Sequence, residues 1–327
     1  MSGLTCSNYS DFPHNISYEK ISSTKCLDHC VRLKIHFSPI NPADINMMEG
    51  KYLLQPELPF VCGNEGVAEV IECGRSVTQL CVGDFVICPF QNQDSWEGFW
   101  KQEMVILEDY CIPFPEFFSL EQASMLSVNP VTAYLLLTQF VSLKPGDVII
   151  QNLANSSVGR WVIHLAKLMG VKTINTVRSS DVVGELKGIG ADSVIVEKDR
   201  FSANIVQKGQ CKLALNGVGG SSSREIAKCL APYGTMVTYG AMSKEPVSLG
   251  NALLIFQNIN CTGFNRSRWI NETSMDDVKS VFKSLFELMP SFFEIPIYDI
   301  FPLNQYENAI GAQLRGGRKG KVLFECC

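Results

Sequence analysis

Between about residues 129 and 264 the chain alternates short β-branched runs with helical patterns, and this succession constrains the fold more than any other feature. The order is VIIQN, VGRWVIHLAKLMG, KTINTV, GELKGIG, DSVIV, LALNGV, SREIAKCLAPYG and MVTYG. Parallel neighbours are reached only through a crossover, and crossovers are right-handed, so the pattern predicts a doubly wound parallel sheet. From residue 26 to about 128 the runs are shorter and are punctuated by PINPAD, QPELP, CVGD and PFPEF, which reads as a β-rich domain. Residues 265–327 return to a helix at MDDVKSVFKSLFELM and a strand at KVLFE. The fold class is therefore α/β. The segment order predicts a sheet domain at 129–264 inserted between the first part (1–128) and the remainder (265–327) of a β-rich domain, with no internal repeat.

The totals agree with that architecture and exclude other classes. A chain of 327 residues allows about two domains at roughly 150 residues each. With 46% apolar and 19% charged residues it lies outside the disordered class. No apolar run reaches the roughly 18 residues of a membrane span. WVIHLAKLMG, for instance, is interrupted by His164 and Lys167. A net charge of −5 gives no electrostatic reason to expect nucleic acid as a partner. Thirteen scattered cysteines, an odd number, fit a reducing compartment better than a disulfide framework. CLDHC brings Cys26, His29 and Cys30 close in sequence, but on a strand His29 would face away from the two thiols, so no metal site is predicted. The first thirty residues lack arginine and include Asp11 and Glu19, unlike a mitochondrial transit peptide.

The strand VIIQN runs into LANSSVGRWVIHLA, a strand-to-helix turn of the kind that holds a dinucleotide. The match to GxGxxG is partial. Asn155 and Ser157 stand in place of glycines and Gly159 remains where helix and strand must pack closely. Small residues here leave the helix N-terminus open to a pyrophosphate; on spacing alone the segment is equally a structural turn. The next strand, TINTV, ends at Arg178, followed by Ser179 and Ser180, where NAD enzymes place a carboxylate for the ribose 2′-hydroxyl. An arginine there accommodates a 2′-phosphate, which favours NADPH. The competing acid, Asp181, falls in the first turn of the following helix and has a structural use against the helix dipole.

Residues 45–70, INMMEGKYLLQPELPFVCGNEGVAEV, resemble the zinc-free medium-chain reductases, and in particular the mitochondrial trans-2-enoyl-thioester reductases. Further resembling pieces are VNPVTAYLLL, GTMVTYGAMSKEPV and LLIFQNINCTGF, within a match from about residue 33 to 325. The resemblance implies a GroES-like catalytic domain plus a Rossmann cofactor domain, and NADPH-dependent reduction of enoyl-CoA or enoyl-carrier-protein substrates in fatty-acid synthesis. Asn64 and Asp44 match positions where the zinc-using relatives carry a histidine and a cysteine ligand, so no metal is expected. Tyr52 matches the proton-donating tyrosine. A phenol is protonated at neutral pH and can donate without metal help. None of the four histidines, at 14, 29, 36 and 164, lies in a matched site segment.

For the cofactor, the resemblance implies contacts from Asn129, from Asn155, Ser156, Ser157 and Val158, and from Arg178, Ser179 and Ser180. It adds Tyr239, Gly240, Ala241 and Met242, then Phe264, Asn265 and Arg266, and finally Lys321. The residues alone leave other uses open: Tyr52 as a loop tyrosine, Asn129 before Pro130 as a helix start, Tyr239 and Phe264 as core aromatics, and RGGRKGK as a solvated turn.

Three substitutions depart from the family pattern. Ser157 and Ser127 replace glycines and Asn265 replaces a tryptophan; Ser127 should shorten the acyl pocket, and the set leaves activity itself open. NQDSWEGFW reads as an inserted surface loop. The family also implies a homodimer, mitochondrial localisation and acyl carrier protein as a partner for Arg266, Arg268, Arg315, Arg318 and Lys319. Two alternatives share the fold: a quinone or enone oxidoreductase, and a nucleotide-binding relative with impaired catalysis.

Overall fold

The computed structural model describes residues 1–52, 55–89, 96, 98–205, 208–291 and 293–327. The chain divides into two compact units, one of Met1–Val128, Ile270–Phe286 and Pro290–Cys327, the other of Asn129–Trp269 and Glu287–Met289.

The second unit is built on a parallel sheet, six-stranded among the described residues. Its spatial order is Ser193–Val196, Lys172–Val177, Val148–Gln151, Cys211–Asn216, Leu230–Thr238 and Asn260–Gly263. Numbered along the chain this is 3-2-1-4-5-6, the order of the dinucleotide-binding doubly wound fold. Its reversal point lies between Val148–Gln151 and Cys211–Asn216. Strands covered on both faces need apolar residues at successive positions, and these have them: Ile149, Ile150, Leu213, Ala214 and Leu215 are all fully buried. Ile150, Ile174, Ala214 and Met236 pack into one core cluster, whereas Val177 joins Ile163, Val182 and Leu186 in another. At roughly 1.5–3 kcal/mol per buried large aliphatic side chain, both clusters contribute to the stability of the unit.

The first unit centres on the strand Cys30–Pro39, which pairs with Val67–Cys73, Glu103–Leu107 and Lys321–Glu325, all antiparallel. Period-two alternation buries Val31, Leu33 and Ile35 completely and turns Arg32 outward to an ion pair with Glu72 at 2.7 Å. A smaller sheet joins Ile16–Lys20, Ser2–Cys6 and Phe60–Val61. Near the C-terminus Ile297–Pro302, the helix Tyr306–Leu314 and Lys321–Glu325 form a crossover with parallel strands. The Arg318 guanidinium donates to the carbonyls of Ala312, Gln313 and Gly320, closing that helix where carbonyls lack partners.

Two local expectations are corrected. NQDSWEGFW is not simply a surface loop: residues 92–95 and 97 lie outside the described residues, but Phe99 and Trp100 are 1% and 0% exposed, and Trp100 packs edge-on against Phe324 at 4.9 Å. CLDHC is not a strand, because Asp28 and His29 form a turn and the strand starts at Cys30. The Cys26 thiol donates to the Cys30 carbonyl at 3.2 Å. All thirteen cysteines are free thiols.

Candidate functional site

In the second unit the candidate residues gather along the carboxyl edge of the sheet. After Gln151 the chain turns through Leu153, a left-handed residue at φ 55°, while Ala154 N–H donates to the Thr176 carbonyl at 3.2 Å. Ser156 then caps the helix Ser157–Leu168, its hydroxyl accepting from Gly159 N–H at 3.1 Å. Ser157 is the first helical residue and needs no glycine conformation; the strained position is Leu153. Gly159 is required by space, because a Cβ there would lie 2.6 Å from the Ala154 carbonyl oxygen. That approach seats the helix N-terminus, with half-buried Ser156, Ser157 and Val158 and exposed Asn155, at the strand end. Buried Arg160 donates to the Asn155 carbonyl at 3.0 Å and pairs with Glu185 at 2.5 Å, fixing the turn from beneath.

Tyr239 follows the strand Leu230–Thr238, held by its N–H on the Asn216 carbonyl at 3.0 Å. Its hydroxyl is buried beside Ser156, and burial holds the phenol above its usual range, with the Ser156 hydroxyl as the smaller, opposing influence. Met242 N–H donates to the Gly217 carbonyl at 3.1 Å, which lays Tyr239, Gly240, Ala241 and Met242 along the end of Cys211–Asn216. Phe264 N–H donates to the Thr238 carbonyl at 2.9 Å, and its ring meets Phe140 edge-on at 5.9 Å. Asn265 accepts from Arg268 N–H at 2.8 Å, a helix-capping use that a tryptophan could not serve; Arg266 is half-buried. Arg178, Ser179 and Ser180 are exposed at the end of Lys172–Val177, and Ser179 accepts from Asp181 N–H at 3.2 Å. Asn129 is buried and opens the helix Asn129–Thr138.

Sequence reading missed the polar framework under this edge. Asn152 donates to Asn216 Oδ1 at 2.9 Å and to Ser222 Oγ at 3.0 Å, and accepts from Gly217 N–H at 2.7 Å. Asn216 Oδ1 also accepts from Val218 and Gly219 N–H at 3.2 and 3.0 Å. Both asparagines are fully buried at the point where strand order reverses. The signal was the asparagine ending each of VIIQN and LALN, a polar residue where a parallel strand should stay apolar.

The first unit places Asp44, Asn64, Glu65 and Lys321 in one buried network. Asp44 accepts from Asn41 N–H at 2.7 Å, Asn64 N–H at 2.9 Å and Asn64 Nδ2 at 2.5 Å. Burial pushes the Asp44 carboxyl up to about 6, against the lowering effect of the Asn41 and Asn64 bonds. Glu65 accepts from Asn41 Nδ2 at 2.8 Å, Val128 N–H at 2.9 Å and Ser127 Oγ at 3.3 Å. Lys321, 6% exposed, donates to Asn41 Oδ1, and burial lowers its pKa while Glu65 and Asp44 raise it. The Ser127 hydroxyl is thus directed to Glu65. Among the described residues no group of three or more His, Cys, Asp or Glu side chains is arranged to hold a metal ion. Tyr52 is half-buried against the core of this unit, and residues 53 and 54 lie outside the described residues.

Residues 28–116 match the alcohol dehydrogenase GroES-like domain, and residues 157–283 match the zinc-binding dehydrogenase family. The mitochondrial enoyl-acyl-carrier-protein reductase of Rattus norvegicus is 39% identical over 321 residues, covering 95% of this chain and 85% of that protein. The complex of Etr1p with NADP and crotonyl-CoA is 29% identical, with a TM-score of 0.86 over 99% of both chains. The mitochondrial 2-enoyl thioester reductase Etr1p/Etr2p heterodimer of Candida tropicalis gives 28% and 0.85, again over 99% of both. The chain belongs to the mitochondrial enoyl-acyl-carrier-protein reductase family of the medium-chain dehydrogenase/reductase superfamily.

Proposed function

We propose that this chain reduces trans-2-enoyl thioesters to saturated acyl thioesters with NADPH. The observation that carries this reading is the family relationship, which spans 95% of the chain at 39% identity and includes a relative solved with NADP and crotonyl-CoA. The residues present fit a dinucleotide. Gly159 lets the helix Ser157–Leu168 bring its N-terminus to the strand end, beside a 3-2-1-4-5-6 reversal point.

Ser156, Ser157 and Val158 would face the pyrophosphate and Arg178 the 2′-phosphate, with Tyr239 to Met242 and Phe264 to Arg266 along the remainder of the cofactor. Asn129 and Lys321 are proposed as further contacts of the same cofactor. Bound NADPH supplies the hydride that adds to Cβ. Tyr52 supplies the proton that Cα requires as charge leaves the thioester oxygen. Steady-state NADPH oxidation with crotonyl-CoA, longer enoyl-CoAs and a quinone tests the reading. Turnover with the quinone alone would overturn it in favour of a quinone oxidoreductase, and no turnover with any of them would mark a catalytically impaired relative.

Arg178 is exposed where the 2′-phosphate should be read, and a charge-assisted contact is worth about 1.5–3 kcal/mol. Arg178→Ala should therefore raise the KM for NADPH by roughly tenfold or more and leave that for NADH almost unchanged. Equal changes for both cofactors would take the phosphate contact away from Arg178.

The finer assignments follow from the family. The chain is proposed to act in mitochondria as a homodimer and to receive substrates from acyl carrier protein as well as CoA. Arg266, Arg268, Arg315 and Lys319 are the basic candidates for the acidic carrier; Arg318 already serves three carbonyls. For the dimer, the strand Asn260–Gly263 ends the sheet with exposed residues, and beside it in sequence Ile255 and Phe256 are 69% and 82% exposed. Phe256→Asp should weaken self-association by about a hundredfold, read as a shift to monomer mass in sedimentation. An unchanged mass would place the contact elsewhere. Among the described residues no helix is long and apolar enough to cross a membrane.

A further inference from the structure

The loop joining Ser2–Cys6 to Ile16–Lys20 reaches across the first unit to the segment that carries Tyr52. Asn15, 1% exposed, donates through Nδ2 to the Asn8 carbonyl at 2.6 Å and to the Met48 carbonyl at 2.8 Å. Met48 ends the helix Pro42–Met48, so this bond serves one of the carbonyls that a helix terminus leaves unpaired.

Tyr9, six residues earlier, holds the two ends of the stretch that follows. A Cβ on Gly50 would lie 2.8 Å from Tyr9 Cβ, and Gly50 takes φ 66°, so only glycine lets the chain leave the helix under this ring. The Tyr9 hydroxyl donates to the Pro56 carbonyl at 2.5 Å, and its ring packs on Phe60 at 5.9 Å. Gln55 Nε2 closes the stretch by donating to the Gly50 carbonyl at 3.0 Å. Tyr52 lies between these fixed points.

We propose that Tyr9 and Asn15 are positioning residues for Tyr52, an inference that rests on Tyr52 being the proton donor. A proton donor must be held close to its target, and a displacement of about 1 Å can cost roughly a hundredfold in rate. Among the described residues, 49–52 and 55–56 belong to no strand, so no ladder fixes them. The N-terminal loop supplies that constraint from outside. Burial holds the Tyr9 phenol protonated, up to about 12, with Cys6 and Cys62 adding to the shift, so the donor to Pro56 persists across neutral pH.

Tyr9→Phe removes only the bond to Pro56 and keeps the ring on Gly50 and Phe60. With crotonyl-CoA and NADPH its kcat should fall roughly tenfold to a hundredfold, while NADPH affinity by fluorescence titration stays within about twofold. In a Tyr52→Phe background the same change should add nothing, because the group it positions is gone. Asn15→Leu, which cannot donate to Met48, should repeat the pattern and provides a second route should Tyr9→Phe fold poorly. Turnover of both single variants within about twofold of wild type would overturn the proposal, as would an undiminished loss in the Tyr52→Phe background. If Tyr52→Phe is itself silent, the acid assignment fails; if it is not and Tyr9→Phe and Asn15→Leu are, only the positioning role fails.

Discussion

Replacing Tyr52 by Phe should lower turnover on crotonyl-CoA by about 10²- to 10⁴-fold, the usual contribution of a general acid. The change removes one hydroxyl and almost no volume from a half-buried ring packed on the core of the first unit, so folding should be preserved. The loss belongs to the protonation step and should appear in kcat far more than in KM for the enoyl thioester. NADPH binding, measured by fluorescence titration, should be unchanged. A variant within about twofold of wild type would mean that the proton reaches Cα from another group.

Lys321→Met should destabilise the protein by about 3–5 kcal/mol, because it removes a buried cation from beside Glu65 and Asp44 and leaves their charge uncompensated. Methionine keeps most of the stem volume, so packing is a minor part of the effect. Chemical denaturation is the direct measurement. A loss below about 1 kcal/mol would show that the network does not depend on this cation. Lys321 is also proposed to contact the cofactor, and the same variant separates the two roles. Weakened NADPH binding at unchanged stability would favour the cofactor role, and lowered stability at unchanged NADPH affinity the internal one.

The chain's own pattern was enough for the α/β class. Strand and helix periods are local, so VIIQN, VGRWVIHLA and KTINTV identify themselves over a few residues without knowledge of what they touch. Family membership was legible for a related reason, since INMMEGKY and GNEGVAEV are contiguous strings. Gly159 was readable too, because close packing between helix and strand tolerates no Cβ there.

What lay beyond the sequence were pairings between distant residues. The Ser127 hydroxyl is directed to Glu65, 62 positions earlier, a partner that the exchange of a glycine for serine does not announce. Asn265, expected to stand in place of a tryptophan and to contact the cofactor, accepts from the Arg268 N–H and caps the following helix. Arg318, grouped by sequence with basic surface residues, closes the terminus of Tyr306–Leu314. NQDSWEGFW reads as an external loop, but Phe99 and Trp100 are drawn into the core because the apolar area they bury outweighs the polarity of their neighbours.

The sequence by itself determined the element types, the fold class and the family, because these depend on period and on contiguous motifs. Only the tertiary structure decided which polar groups satisfy one another. Lys321 meets Asn41 across 280 positions, Tyr9 meets Pro56 across 47, and Asn152 meets Asn216 across 64. The reason is physical: a buried donor or acceptor must find a partner wherever the fold brings one, and no local pattern records where that is.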